Sequence, residues 1–132
     1  MSNQLVNKNT QQKTKGELSC VGVGMCLGSH LTPLSQSYIE NADVCFVAVS
    51  DALVEQWVFS LNSHCVSLQP LYKEGKSRNK TYAEMESMIL ESLYQGNRVC
   101  CVFYGHPGIF AKVPHSVIRQ AKSQGIKAVM EA

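Results

Sequence analysis

The feature that most constrains this chain is an alternation. Apolar runs of strand length are separated at short intervals by stretches with helical periodicity. ELSCVGV (17–23) reads as a first strand, VCFVAV (44–49) as a second, CVSL (65–68) as a weak third, RVCCVFY (98–104) as the strongest and IKAVM (126–130) as a fifth. The second and fourth are continuously apolar rather than alternating, as expected of strands covered on both faces. Between them, Thr32-Pro33 supplies an N-cap with proline at the first helical position, opening a helix to about Ala42. Ser50 or Asp51 caps a second helix carrying Val54, Trp57, Val58 and Leu61 at helical spacing. Thr81-Tyr82-Ala83-Glu84 fits a capping box, and the helix it opens places Met85, Met88, Ile89 and Leu93 on one face before stopping near Gly96. A last helix runs from Pro114 to Gly125. The series β-α-β-α-β-α-β-α-β with short connections predicts an α/β fold: a five-stranded, largely parallel sheet with helices on both faces.

The bulk properties agree with one domain. The chain has 132 residues, 45% of them apolar and 17% charged. No apolar run approaches the roughly 20 residues of a membrane-spanning helix. Residues 1–15 are polar, without the apolar core of a signal peptide. They are expected to form a disordered tail before a domain spanning 16–132, and the protein is expected in the cytoplasm. Its six cysteines form no C-x-x-C pair and no zinc-site spacing, and Cys20, Cys45, Cys100 and Cys101 lie inside strand-like runs. They read as buried free thiols. A net charge of +2 is too small to argue for nucleic acid.

In open parallel sheets, ligands bind beyond the carboxyl ends of the strands. Three segments of unusual composition fall there. GVGMCLG (22–28) has G-x-G, but its next glycine comes one residue too late for a dinucleotide fingerprint. The acid such a site needs is missing too: Asp43 precedes the second strand and Asp51 comes late. A tight turn and a ligand loop remain equal readings of this segment. LYKEGKSRNKTY (71–82) sets Lys73, Lys76, Arg78 and Lys80 against Glu74 and brackets Arg78 with Tyr72 and Tyr82. A solvated loop is the plain reading. The functional one is a device that takes a proton from a weak acid, because a nearby cation favours a phenolate. FYGHPGIF (103–110) combines Gly105 and Gly108, which let backbone approach a ligand, with the fixed φ of Pro107 and the rings of Tyr104 and Phe110. His106 reads as a ligand contact, a base or a hydrogen-bonded loop residue.

With these segments in this order, the chain resembles the tetrapyrrole methylase superfamily, the class III S-adenosylmethionine-dependent methyltransferases. Within it, the chain is most similar to the borosin-type peptide backbone N-methyltransferases. The likeness runs from Glu17 to Met130 and rests on VGVG…LT, LYKEGKSRNKTY and YGHPGIF. The wider superfamily usually has Pro-Gly in the first loop and Gly-Asp-Pro after the fourth strand. Met25-Cys26 and His106 stand at those places here, which is closer to the borosin pattern. The resemblance implies S-adenosylmethionine as cofactor, bound along Tyr104, His106, Pro107, Ile109 and Phe110. It also implies a catalytic group made of Tyr72, Arg78 and Tyr82. With a sulfonium as electrophile, no metal is implied.

The implied chemistry suits these side chains. A peptide N–H is a poor nucleophile because its lone pair is delocalised into the carbonyl. On this reading Tyr72 is the base, Arg78 lowers its pKa and stabilises the anion, and Tyr82 donates to the developing oxyanion. The acceptor is a peptide or a small molecule, nucleic acid and membrane are not expected partners, and the protein is expected to be a homodimer. Members of this superfamily continue past the fifth strand into a second α/β domain, and the resemblance covers the first domain only. The chain is therefore expected to be the N-terminal domain of such a methyltransferase. The alternatives are a porphyrin- or corrin-type methyltransferase and a non-catalytic half-domain.

Overall fold

The computed structural model describes residues 16–23, 31–49, 51–104 and 112–131. The sheet consists of β1 (Glu17–Val23), β2 (Val44–Ala48), β3 (Cys65–Ser67), β4 (Arg98–Tyr104) and β5 (Lys127–Glu131). Four helices alternate with them: α1 (Pro33–Asn41), α2 (Ala52–Leu61), α3 (Arg78–Tyr94) and α4 (Lys112–Ser123). A short 3₁₀ turn, Gln69–Leu71, follows β3. The strands lie in the order β3-β2-β4-β1-β5 and every pair is parallel. The expected α/β sheet is thus the observed one.

Three of the helices start where a side chain satisfies their free backbone donors. The Thr32 hydroxyl accepts from the Ser35 amide at 3.1 Å, and the Asp51 carboxylate accepts from the Leu53 and Val54 amides at 2.9 and 3.3 Å. The third start corrects the sequence reading. Ser77, not Thr81, caps α3, its hydroxyl accepting from the Lys80 amide at 3.2 Å. Thr81 lies one turn inside the helix, buried, and its hydroxyl donates to the Ser77 carbonyl at 3.3 Å. Glu84 does not reach back to complete a capping box but pairs with Lys76. α4 begins at Lys112, two residues before Pro114, because a proline in the first turn gives up no intrahelical hydrogen bond.

The pleat divides the apolar side chains into two layers. On one face Leu18, Cys20, Phe46, Val99, Cys101 and Phe103 pack under α3 and α4 through Met85, Ile89, Leu93, Val113, Val117 and Ala121. On the other, Val21, Cys45, Val47, Cys100 and Val102 meet Ile39 of α1 and Val54 and Val58 of α2. Among the described residues five cysteines are free thiols: Cys20 opposes Cys101 in the first layer, and Cys65, Cys45 and Cys100 form a row across β3, β2 and β4 in the second. Truncating a buried Ile89 or Leu93 to alanine is worth about 2–5 kcal/mol. Asn62 locks the second layer at its end: its side-chain amide donates to the carbonyls of Ile39 at 2.7 Å and Ala42 at 2.9 Å. Asp43 stands at the amino-terminal end of β2, where its carboxylate accepts from the Arg98 amide at 2.7 Å. It is a sheet clamp, placed at the wrong end of the strand to hold a ribose. No helix among the described residues is long and apolar enough to cross a membrane.

The strand order fixes where a ligand can sit. β1 and β4 are neighbours, with Gly22 opposite Phe103 and Val23 opposite Tyr104. The connection after β1 leads through α1 to β2 on one side, while that after β4 leads through α4 to β5 on the other. α1 packs on one face of the sheet and α4 on the other. This divergence is the topological switch point of an open sheet, where a crevice opens beyond the strand ends.

Candidate functional site

The segment between β3 and α3 is held by its own hydrogen bonds. Tyr72 ends the 3₁₀ turn, its amide donating to the Gln69 carbonyl at 3.0 Å. A four-residue turn follows, closed by the Lys76 amide on the Lys73 carbonyl at 3.1 Å, with Gly75 at φ 79°. An L side chain rarely adopts that φ. The Lys76 ammonium then reaches back to the Leu71 carbonyl at 2.9 Å and pairs with Glu84 on the second turn of α3. One lysine thereby ties the start of the loop to the helix that follows it. Arg78 is the first residue of α3 and Tyr82 lies one helical turn on, on the same side.

Tyr72, Arg78 and Tyr82 are accordingly carried by one small scaffold, and the Tyr72 phenol feels both of the others. Its pKa is raised above the usual value near 10: burial raises it most, Tyr82 raises it further, and Arg78 lowers it by less than these two together. The expected net lowering by Arg78 is therefore reversed by burial. Tyr72 is a phenol at neutral pH and is 38% exposed, so a ligand can still reach it. Tyr82 is half-buried and packs, with Leu71, against the cluster that contains Phe103 and Val113. Those two residues come from the elements on either side of segment 105–111.

Of the residues expected to line the methyl donor, only the backbone of Tyr104 belongs to the described structure, at the end of β4 opposite Val23. His106, Pro107, Ile109 and Phe110 lie outside the described residues, as do Met25 and Cys26. Lys112 donates to the Asn79 side chain at 2.7 Å, so the start of α4 is tied to the start of α3. Neither this link nor the pairing of Lys76 with Glu84 had a signal in the sequence. Both join polar residues across separations set by the tertiary fold.

Among the described residues, two of the concavities bear on the site. One, of about 470 Å³, lies on the outer flank of the loop between Lys73, Lys76, Lys80 and Glu84. The other, of about 220 Å³, lies at the amino-terminal ends of β1, β4 and β5, lined by Ser19, Tyr38 and Arg98. It is at the end of the sheet opposite to the switch point and to the tyrosines.

Comparison with known proteins places this geometry in context. Residues 17–130 match a family described as Tetrapyrrole (Corrin/Porphyrin) Methylases. The chain is 38% identical over 121 residues to a methyltransferase/ribosomally synthesized type I borosin cyclic peptide precursor of Coprinopsis marcescibilis, covering 92% of this chain and 31% of that protein. It is also 38% identical to the methyltransferase/ribosomally synthesized cyclic peptide omphalotin A precursor of Omphalotus olearius, covering 92% of this chain and 29% of that one. The chain thus spans about three-tenths of the length of these relatives. Among solved structures, a cobalt precorrin-4 methyltransferase of cobalamin biosynthesis superposes with a TM-score of 0.62 at 19% identity, over 87% of this chain and 44% of its own. A conserved hypothetical protein from Aeropyrum pernix K1 does so at 0.65 and 21%, over 86% and 37%. At these identities the structural likeness speaks for the fold alone.

Proposed function

The chain belongs to the tetrapyrrole methylase family, and from that membership we propose that it supplies the donor-binding and catalytic half of an S-adenosylmethionine-dependent methyltransferase acting on peptide backbone amides. The observation that carries this reading is the scaffold that sets Tyr72, Arg78 and Tyr82 against one another at the carboxyl-end rim of the sheet. The relatives named as methyltransferase and peptide precursor in one chain support the choice of acceptor.

The place for the donor is the crevice where the connections of β1 and β4 part, and Tyr104, His106, Pro107, Ile109 and Phe110 would hold it there. S-adenosylmethionine, when bound, would supply an electrophilic methyl group for the amide nitrogen. The chain's own groups must then deal with a proton and a charge. As the amide nitrogen loses its proton ahead of methyl transfer, negative charge accumulates on the carbonyl oxygen, and it is discharged when the nitrogen takes the methyl group. Arg78 and a phenol donor stabilise that charge. The raised pKa of Tyr72 favours it as the donor, which leaves Tyr82 to accept the amide proton. This exchanges the roles expected from the sequence.

The test is mass spectrometry of a peptide acceptor incubated with S-adenosylmethionine and the protein that carries this chain. Stepwise gain of single methyl groups on backbone nitrogen is expected. Tyr72→Phe should lower the rate by about 10²–10³, the cost of one oxyanion donor. Methylation of a porphyrinoid in place of the peptide, unaffected by Tyr72→Phe and Tyr82→Phe, would overturn the substrate assignment. Cytoplasmic homodimers are part of the same reading, supported by the exposed apolar side chains of Leu53 and Phe59. Sedimentation at the mass of a single chain would remove that part.

A further inference from the structure

We propose that the cationic hollow on the outer flank of the first turns of α3 docks an acidic residue of the acceptor, about three to four residues from the methylated amide. The inference rests on the reading of Tyr72, Arg78 and Tyr82 given above and adds to it a specificity for acidic peptide sequence.

α3 presents two different sides at its start. Arg78 and Tyr82 are four residues apart and share one side, and so are Lys80 and Glu84. The two pairs are offset by two residues, about 200° around the helix. The tyrosine group and the lysine group therefore flank α3 on nearly opposite sides, both at the rim. Crossing a helix end of about 10–12 Å takes about three to four residues of extended chain at about 3.3 Å each.

Charge marks the outer flank as a site for an anion. The segment 73–84 sets Lys73, Lys76, Arg78 and Lys80 against Glu74 and Glu84, an excess of two positive charges that equals the net charge of the whole chain. Lys76 is turned inward to Leu71 and Glu84. Lys73 and Lys80 are exposed and form no ion pair among the described residues. Both nevertheless lie close enough to Glu84 to hold its carboxyl lower still, after the larger effect of its hydrogen bond to Lys76. The positive end of the α3 dipole adds to the same field. The hollow is also lined by Glu74 and Glu84. Those carboxylates would repel a continuous phosphate backbone, whereas one carboxylate can settle between Lys73 and Lys80. An acidic peptide fits this surface better than a nucleic acid does.

The experiment is fluorescence anisotropy with fluorescein-labelled ten-residue apolar peptides, titrated with the full chain. The peptides differ only in Asp, Asn or Lys at the third position from the central amide, placed on either side of it in two series. In one series the Asp peptide should bind about three- to tenfold tighter than the Asn peptide, as expected for one or two exposed charge pairs, and the advantage should fade at high salt. The double variant Lys73→Glu, Lys80→Glu should reverse the order in favour of the Lys peptide while its thermal unfolding stays unchanged. Equal affinities for Asp and Asn, no reversal, no binding, or tighter binding of a ten-nucleotide single strand would each overturn the proposal. Tyr72→Phe should leave the Asp-to-Asn ratio intact. Absence of methyl transfer with that ratio preserved would sink the methylation reading and leave the docking site standing.

Discussion

Tyr72 shows how one side chain can be read correctly as a candidate and incorrectly as a charge state. The sequence places an arginine near two tyrosines, and from that alone a lowered phenol pKa follows. It does not reveal that Tyr72 sits at the end of a 3₁₀ turn, where partial burial and the second tyrosine outweigh the guanidinium. Because the folded pKa is raised, the fold favours the protonated phenol. That contribution is fully present below the unfolded value near 10 and is lost as pH climbs through the folded one. Denaturation followed at steps from pH about 9 upward should show the wild-type chain losing stability faster than Tyr72→Phe. The same variant should lose the alkaline fall in methyl transfer that a phenol donor produces. Arg78→Gln should move the Tyr72 pKa further up, which ultraviolet titration of tyrosinate against the Tyr72→Phe background can detect. A wild-type rate that climbs steadily with pH through this range would instead assign Tyr72 as the base.

At the scale of elements, the strands and three of the helices were legible because their signals are local: continuous apolar runs, Thr32-Pro33, and Asp51 before an apolar face. The start of α3 was not. Ser77 and Thr81 are both caps by type, and Thr81 is followed by Glu84 at capping-box distance. Lys76 decides the matter by taking Glu84, a contact made only after the loop has folded back onto the helix. Ser77→Ala should therefore cost about 1 kcal/mol of stability in urea unfolding. Thr81→Val keeps the buried shape, and the Ser77 carbonyl still accepts from the Thr81 amide at 3.2 Å. Its cost should stay below about 0.5 kcal/mol. The opposite order would restore Thr81 as the cap.

At the scale of the whole molecule, the class of fold was legible and the strand order was not. Alternation announces a parallel sheet, but nothing local to RVCCVFY says that it inserts between β2 and β1. That insertion makes the switch point and brings together the ends of two segments far apart in sequence, Val23 and Tyr104 lying 81 positions from one another. It also distributes the free thiols, with Cys20 and Cys101 in the layer under α3 and α4, and Cys45 and Cys100 in the layer under α1 and α2. Cys65 differs from them: it is half-buried on an edge strand and its pKa is lowered by a hydrogen bond from Cys45, whereas burial pushes Cys101 well up. The molecule thus carries its own clocks for local opening. With Cys26 replaced by serine, a thiol reagent should label Cys65 first, and each buried pair should then react at the rate at which its own layer breathes. A ligand lodged where the connections of β1 and β4 part should slow both clocks together, whereas one lodged in the hollow beside Lys73 and Lys80 should slow only the layer beneath α3 and α4.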